Sequence, residues 1–412
     1  MVVACVGIMR SSGAESPSTK PTASERDHAI IIRFLEERVG RDPDDITAEN
    51  RLAGQYLWQF RQTGDDRYIG LSAAAAARSL KSVPAEQNSA ALGAKARAEF
   101  TLHHFAEARD DGLQLVNQEP DKVNSFAILG DALLELGDYD KAAEAYSKLH
   151  DLDDADPASV ARMARLVLIR GDNETARGYY AAAITLAKSI SPPQPDLLAW
   201  CLVQAGQLDF ITGRWDAAEE KYQAALQAHP GDWSAVDHLA ELRAGQRRFD
   251  EAISTYVALV ARVPRPELFQ ALGDVCTVAA KKDDAARWHR QALDRYLLAA
   301  AESPQYDHHL AGFYCDSEPN PPEALQWARK DMANRHSVYA YDSLAWALYQ
   351  NGQFPPAAQA MDKALALGTK DSHLLYHASL IYYGAGDLKR GKDCLRAAAQ
   401  VNPKFMEFHE HR

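Results

Sequence analysis

Few side chains in this 412-residue chain stand at spacings that chemistry would need. His373 and His377 lie four residues apart, one helical turn, which is the spacing of paired metal ligands. No Glu follows His373, so the pair is not the zinc-protease motif and reads instead as a groove or packing pair. His308 and His309 stand near Cys315, but adjacent histidines leave a helix on different faces. His103 and His104 fall at a turn, where solvated polar residues are expected. Asp151, Asp153, Asp154 and Asp156 imitate the start of a calcium loop, yet the Gly at its sixth position and the closing Glu are missing, so this is an acidic loop. There is no Gly-rich phosphate loop after a strand and no GxSxG. The cysteines (Cys5, Cys201, Cys276, Cys315, Cys394) form no CxxC pair, which argues against a zinc ribbon and a disulfide framework. The expectation is no catalytic residue, no cofactor and no metal.

Composition sets the class. Hydrophobic residues make up 47% and charged residues 25%, ordinary values for a folded chain. The net charge of −12 argues against nonspecific nucleic-acid binding, which needs a basic surface, and favours basic or neutral partners. No stretch is long and apolar enough to span a membrane.

The elements that must position any site are helical hairpins. In Tyr339–Thr369 the first helix carries Tyr341, Leu344, Ala345 and Leu348, an i, i+3, i+4, i+7 stripe. Gly352 suits the left-handed turn that ends it, and Phe354, Ala357, Met361 and Ala364 form the stripe of the second helix. Ala345 and Ala357 are small because the helices cross closely there. Landmarks recur at 34 residues, from Gly137 to Gly171 and from Gly352 to Gly386. Gly171 to Gly213 is 42, which marks the proline stretch 191–195 as an insertion and the expected joint of the array. A helix from His28 to Val39 starts the stack, and Ala74 and Ala77 are expected on the inner face of the first unit's second helix. The eighth unit, Pro304–Arg335, is irregular, with EPNPP (318–322) in place of the turn glycine. Domains are read as a 1–27 tail, helices and repeats over 28–190, the joint, repeats over 196–403, and a 404–412 tail. In such an array each unit touches only its neighbours. Because repeats occupy about 46 to 403, a catalytic domain has no room.

Leu129, Gly130, Gly137, Tyr139, Ala142 and Tyr146, with Gly213, Trp215, Ala218, Tyr222, Ala225 and Pro230, resemble the tetratricopeptide-repeat (TPR) family. The final two units resemble the ends of uncharacterised bacterial arrays of this family. The resemblance implies an all-α, right-handed superhelical solenoid of about ten helix–turn–helix repeats, with a concave groove lined by the first helix of each unit. It implies a noncatalytic scaffold that holds a protein or peptide segment. Alternatives are a self-assembling module of the bacterial envelope, or a metal- or small-molecule-dependent enzyme in the groove.

Family positions carried onto this sequence place Arg97, Phe100, Asn124, Asp131 and Arg165 in the early groove. They place Trp200, Gln207, Phe210, Asp237, Glu241 and Asp274 in the middle, and His308, Asp342, Trp346, Tyr349, Tyr376 and Tyr383 late. Trp346 and Tyr349 lie one turn apart and opposite the Leu344/Leu348 stripe, as binding anchors do, although packing against a neighbouring helix is the plainer alternative. Tyr376 and Tyr383 continue that face. The acids favour a basic or amine-bearing ligand if they are more than a solvated face. Asp131, Gln207, Glu241 and Asp274 stand where the family's carboxylate clamp needs Lys, Asn and Arg, which argues against that role. Val2-Val3-Ala4-Cys5 resembles a lipoprotein box, so the location is either cytoplasmic or exported from a truncated signal.

Overall fold

The computed structural model describes residues 23–405. Val2–Cys5, most of the 1–27 tail and the end of the 404–412 tail lie outside them. Among the described residues all regular structure is helical. None of these helices is long and apolar enough to cross a membrane. The first helix begins at Ala23, five residues before His28, and ends at Arg41. Asp42-Pro43-Asp44 then breaks it, and Asp45 caps the next helix by accepting from Ala48 N. Asp156, Asp172, Asp232, Asp371 and Asp387 cap first or second helices in the same way. Asp156, read as part of an acidic loop, therefore serves as a backbone acceptor.

In three hairpins a glycine of the first helix meets a ring sixteen residues later. A Cβ on Gly130, Gly206 or Gly273 would overlap the ring of Tyr146, Tyr222 or His289. Ala345 and Ala357 are fully buried at their crossing, as expected. The first unit differs from the sequence reading. Ala74 and Ala77 face solvent, while Ile69, Ser72, Ala76 and Ser79 are buried. In a run of five alanines the apolar pattern carries no phase. The hydroxyl of Ser72 supplies it by donating to Ala53 O at 2.9 Å. The core also passes without a break across 191–195, where Tyr180 and Ala187 pack with Cys201 and Leu208.

In every unit but the eighth, the turn between the two helices takes a left-handed residue. Gly64, Gly137, Gly171, Gly213, Gly352 and Gly386 provide it, and His103, Arg247 and Ala280 adopt it without glycine.

Contact is not confined to neighbours, contrary to the expectation for an array. The turns of units one to five rest on the inter-unit loops of units six to ten, about 200 residues later. Tyr306 Oη and Arg265 Nη1 donate to Asp66, at 2.6 and 3.0 Å. His103 stacks on His308 with ring centroids 5.3 Å apart. His336 N donates to Glu135 O at 2.9 Å, and Val338 N to Tyr139 Oη at 2.7 Å. Thr369 Oγ1 donates to Ile169 O, and Ser372 Oγ to Ile211 O at 3.3 Å. One apolar cluster joins Leu129, Leu133, Leu166 and Ile169 of the early units to Leu325, Val338, Leu348 and Leu374 of the late ones. The solenoid thus coils tightly enough to lie on itself, and this seam holds the coil closed.

The turn glycines divide accordingly. A Cβ on Gly171 would overlap the carbonyl of Gly368, and one on Gly137 that of His336, whereas Gly352 and Gly386 face open space. Gly386→Ala should cost about 1 kcal/mol, the left-handed penalty alone. Gly171→Ala should cost at least about 2 kcal/mol, because the seam must also open. Urea unfolding of both variants checks the difference, and equal losses would remove the seam as a source of stability.

Burial pushes the His103 imidazole down to about 3 and that of His309 to about 4, and it moves His308 well below its ordinary value. Arg335 adds to the effect at all three. The folded state therefore binds fewer protons than the unfolded state once pH drops beneath about 6.5. Stability from this seam is complete above that pH and is lost as pH falls from about 6.5 toward 4. Urea midpoints at pH 7, 6 and 5 should decrease in that order, and more gently in His308→Gln.

Candidate functional site

The inner wall of units six to ten encloses a cavity of about 460 Å³. The helix Trp233–Gly245 supplies Asp237, His238 and Glu241, and Pro266–Val278 supplies Glu267, Gln270 and Asp274. The eighth unit supplies His308, His309 and Asp316, and Val338–Gln350 supplies Asp342 and Trp346. Ser372–Gly384 completes the wall with His373 and His377. These five helices are the first of their units, so their inward faces converge when the array curls.

The irregular eighth unit has a function in this arrangement. Its first helix, Asp307–Gly312, widens into a π turn over Phe313–Ser317, where Glu318 N reaches back to Phe313 O at 3.0 Å. The wider turn carries Asp316 to the cavity, where it accepts from Trp346 Nε1 at 3.0 Å. Local π turns often mark working sites.

Trp346 is 7% exposed and lies flat between Tyr349 and His377. The ring centroids are 5.1 and 4.1 Å away, with interplanar angles of 9° and 10°. His377 Nδ1 lies 3.0 Å from Asp342 Oδ1. Burial works against charge on His377, but Asp342 and Asp316 outweigh it and hold the imidazole above its ordinary value. His289 follows the same logic beneath the wall. Burial opposes its charge, and contacts from Nε2 to Asp274 at 2.8 Å and from Nδ1 to Glu318 at 3.2 Å raise it. Burial also pushes the carboxyls of Asp237 and Asp316 up to about 6. Six carboxylates face the cavity against one guanidinium, that of Arg335. Such a wall attracts cations.

Of the residues expected in the groove, Asp237, Glu241, Asp274, His308, Asp342 and Trp346 meet here. Tyr349 adjoins the cavity through its stack on Trp346. Gln207 contacts His238 from the preceding unit. The early residues lie outside this cavity, and Asp131 and Arg165 are paired with other side chains. Asp131 accepts from Arg162 and from Tyr146 Oη at 2.7 Å, and Arg165 pairs with Glu135. Arg97 is pushed down first by burial and then by the charges of Arg61 and Arg162.

Several placements correct the sequence reading. Phe210 is 1% exposed and packs on Trp215, so it belongs to the core between helices. Trp200 is 39% exposed and Asn124 is exposed, and both stand apart from the cavity. Phe100 meets Phe105 edge-on. Tyr376 packs against Phe405, and Tyr383 against Gly391 of its own hairpin, because His373 and His377 hold the inward face of their helix. His103, expected in solvent, lies in the seam. The reading missed Asp316, since nothing linear shows a π turn, and it set His309 aside because adjacent histidines leave a helix on different faces, yet both His308 and His309 line the cavity. It had singled out His373 and His377, but the partner residue of His377 lies 35 positions earlier.

Family models of the tetratricopeptide repeat match residues 94–160, 129–195 and 210–274. Among solved structures, the chain is similar to TTC0263, a thermophilic TPR protein of Thermus thermophilus, at 19% identity. That match covers 48% of this chain and 98% of the other, with a TM-score of 0.42. It is similar to the human IFIT1 dimer with PPP-AAAA at 12% identity, over 90% and 94% of the two chains, with a TM-score of 0.48. It is similar to the APC/C hetero-tetramer Cut9-Hcn1 at 11% identity, over 94% and 93%, with a TM-score of 0.36. No curated protein matches the chain.

Proposed function

Since this chain is a tetratricopeptide-repeat protein, we propose that it is a noncatalytic scaffold that holds a basic protein or peptide segment in the cavity of units six to ten. Repeats of this kind serve protein interaction in general. The observation that carries the finer reading is the lining, six carboxylates and a flat aromatic stack in one concave space. A Lys or Arg side chain entering it meets acids that have little water around them, where charge attraction is strong. The indole of Trp346 is stacked on both His377 and Tyr349, which makes this part of the wall rigid. The chain's charge of −12 steers a basic segment toward it.

A labelled Lys/Arg-rich peptide and an acidic peptide of equal length separate this from general stickiness. The basic peptide should bind, more weakly as salt rises, and the acidic one should not. Asp237→Asn with Glu241→Gln should weaken the basic peptide about tenfold, equivalent to about 1.4 kcal/mol. Fluorescence anisotropy reads the effect. Equal binding of both peptides, or an unchanged double variant, overturns the proposal.

A further inference from the structure

One corner of the cavity holds donors of a different chemistry. Asp342, His373 and His377 each place one ligand atom within 4.8 Å of the other two. The two histidines are a turn apart on one helix, with ring centroids 4.2 Å apart. Asp371 fixes the start of that helix by accepting from His373 N and Leu374 N. Trp346, stacked flat on His377, fixes that ring. Asp342 comes from the first helix of the preceding unit and is buried, as is His377. Two nitrogens and one oxygen on rigid helices, beside an open cavity, make a preorganised set of three.

We propose that Asp342, His373 and His377 bind a single divalent transition-metal ion of the zinc type, with the remaining coordination position open to the cavity. Zinc takes imidazole nitrogen and carboxylate oxygen together, whereas calcium and magnesium demand mostly oxygen. The surroundings suit a dication. His377 Nδ1 lies 3.0 Å from Asp342 Oδ1, and five further carboxyls line the same cavity. A single ion can replace the direct contact between His377 Nδ1 and Asp342 Oδ1 by bridging the two atoms. A second trio, His103, His308 and Asp331, also lies within 4.8 Å. There Arg335 Nη2 donates to Asp331 Oδ2 at 2.9 Å, so a dication would meet a guanidinium. The charge balance therefore selects the cavity trio. A bound ion ties units nine and ten together across their first helices. It does not depend on the scaffold reading, because the ligands all come from this chain.

The test uses the untagged full chain, stripped with EDTA and titrated with ZnCl2 by calorimetry without any peptide. Wild type should take up about one equivalent, and CoCl2 should give the visible d–d absorption of a four-coordinate site. His373→Asn and Asp342→Asn should each weaken binding at least about tenfold, while His308→Gln leaves it unchanged. Should either variant fail to fold, the imidazole resonances of the wild type decide. Zinc-induced shifts at His373 and His377 support the site, and shifts confined to other histidines refute it. No uptake by wild type, or unaltered uptake by His373→Asn, overturns the proposal. Because no peptide is present, failure here leaves the basic-segment reading intact, and failure there leaves the metal site intact.

Discussion

The structure depends on the contact between turns that are about 200 residues apart. A solenoid whose units touch only their neighbours behaves as a spring, with stability summed along its length. Here the turn at Gly171 lies under the loop at Gly368, and that at Gly137 under His336. Leu133 and Leu348 share one apolar cluster. Each early unit is thus buttressed by a late one. The cost of ordering the coil is offset by apolar burial and by hydrogen bonds such as Tyr306 to Asp66. The seam also restricts the turns. Where a loop crowds the turn residue, the missing side chain of glycine is needed for space as well as for its left-handed backbone.

Closure sets the character of the interior. Once the coil is shut, the inward faces of the late first helices converge, and residues that an open array would leave in water become a shared wall. That is why Asp237 and Asp316 hold their protons more tightly than free carboxylates, and why His377 gains charge while His308 loses it. Both histidines line the same cavity. One faces Asp342 and the other faces Arg335 and further histidines. Environment, not residue type, separates them.

The eighth unit shows how a departure from the repeat serves the whole. The absent turn glycine and the Pro-rich connection coincide with a short helix that opens into a π turn. An ordinary hairpin would point position 316 differently. The widened turn brings a carboxylate against Trp346 Nε1 and so links the walls of the eighth and ninth units.

The amino-acid sequence by itself determined the helical hairpins, their period and most of their buried stripes. These follow from contacts three to four residues apart and from the turn preferences of glycine, both local. With the family's groove positions carried onto it, it also placed acids on the inner face of the middle units and at position 342, so Asp237, Glu241, Asp274 and Asp342 were legible as lining. The phase of the alanine run at 73–77 was not, because identical residues carry no orientation. Nor was the inward side of Ser372–Gly384, where tyrosines and histidines compete for one face. Only the tertiary structure decided the seam, the junction of His103 with His308 and the meeting of Asp342 with His377. Those contacts depend on the small rotation from each unit to the next, summed over about six units. No local pattern in the chain encodes that sum.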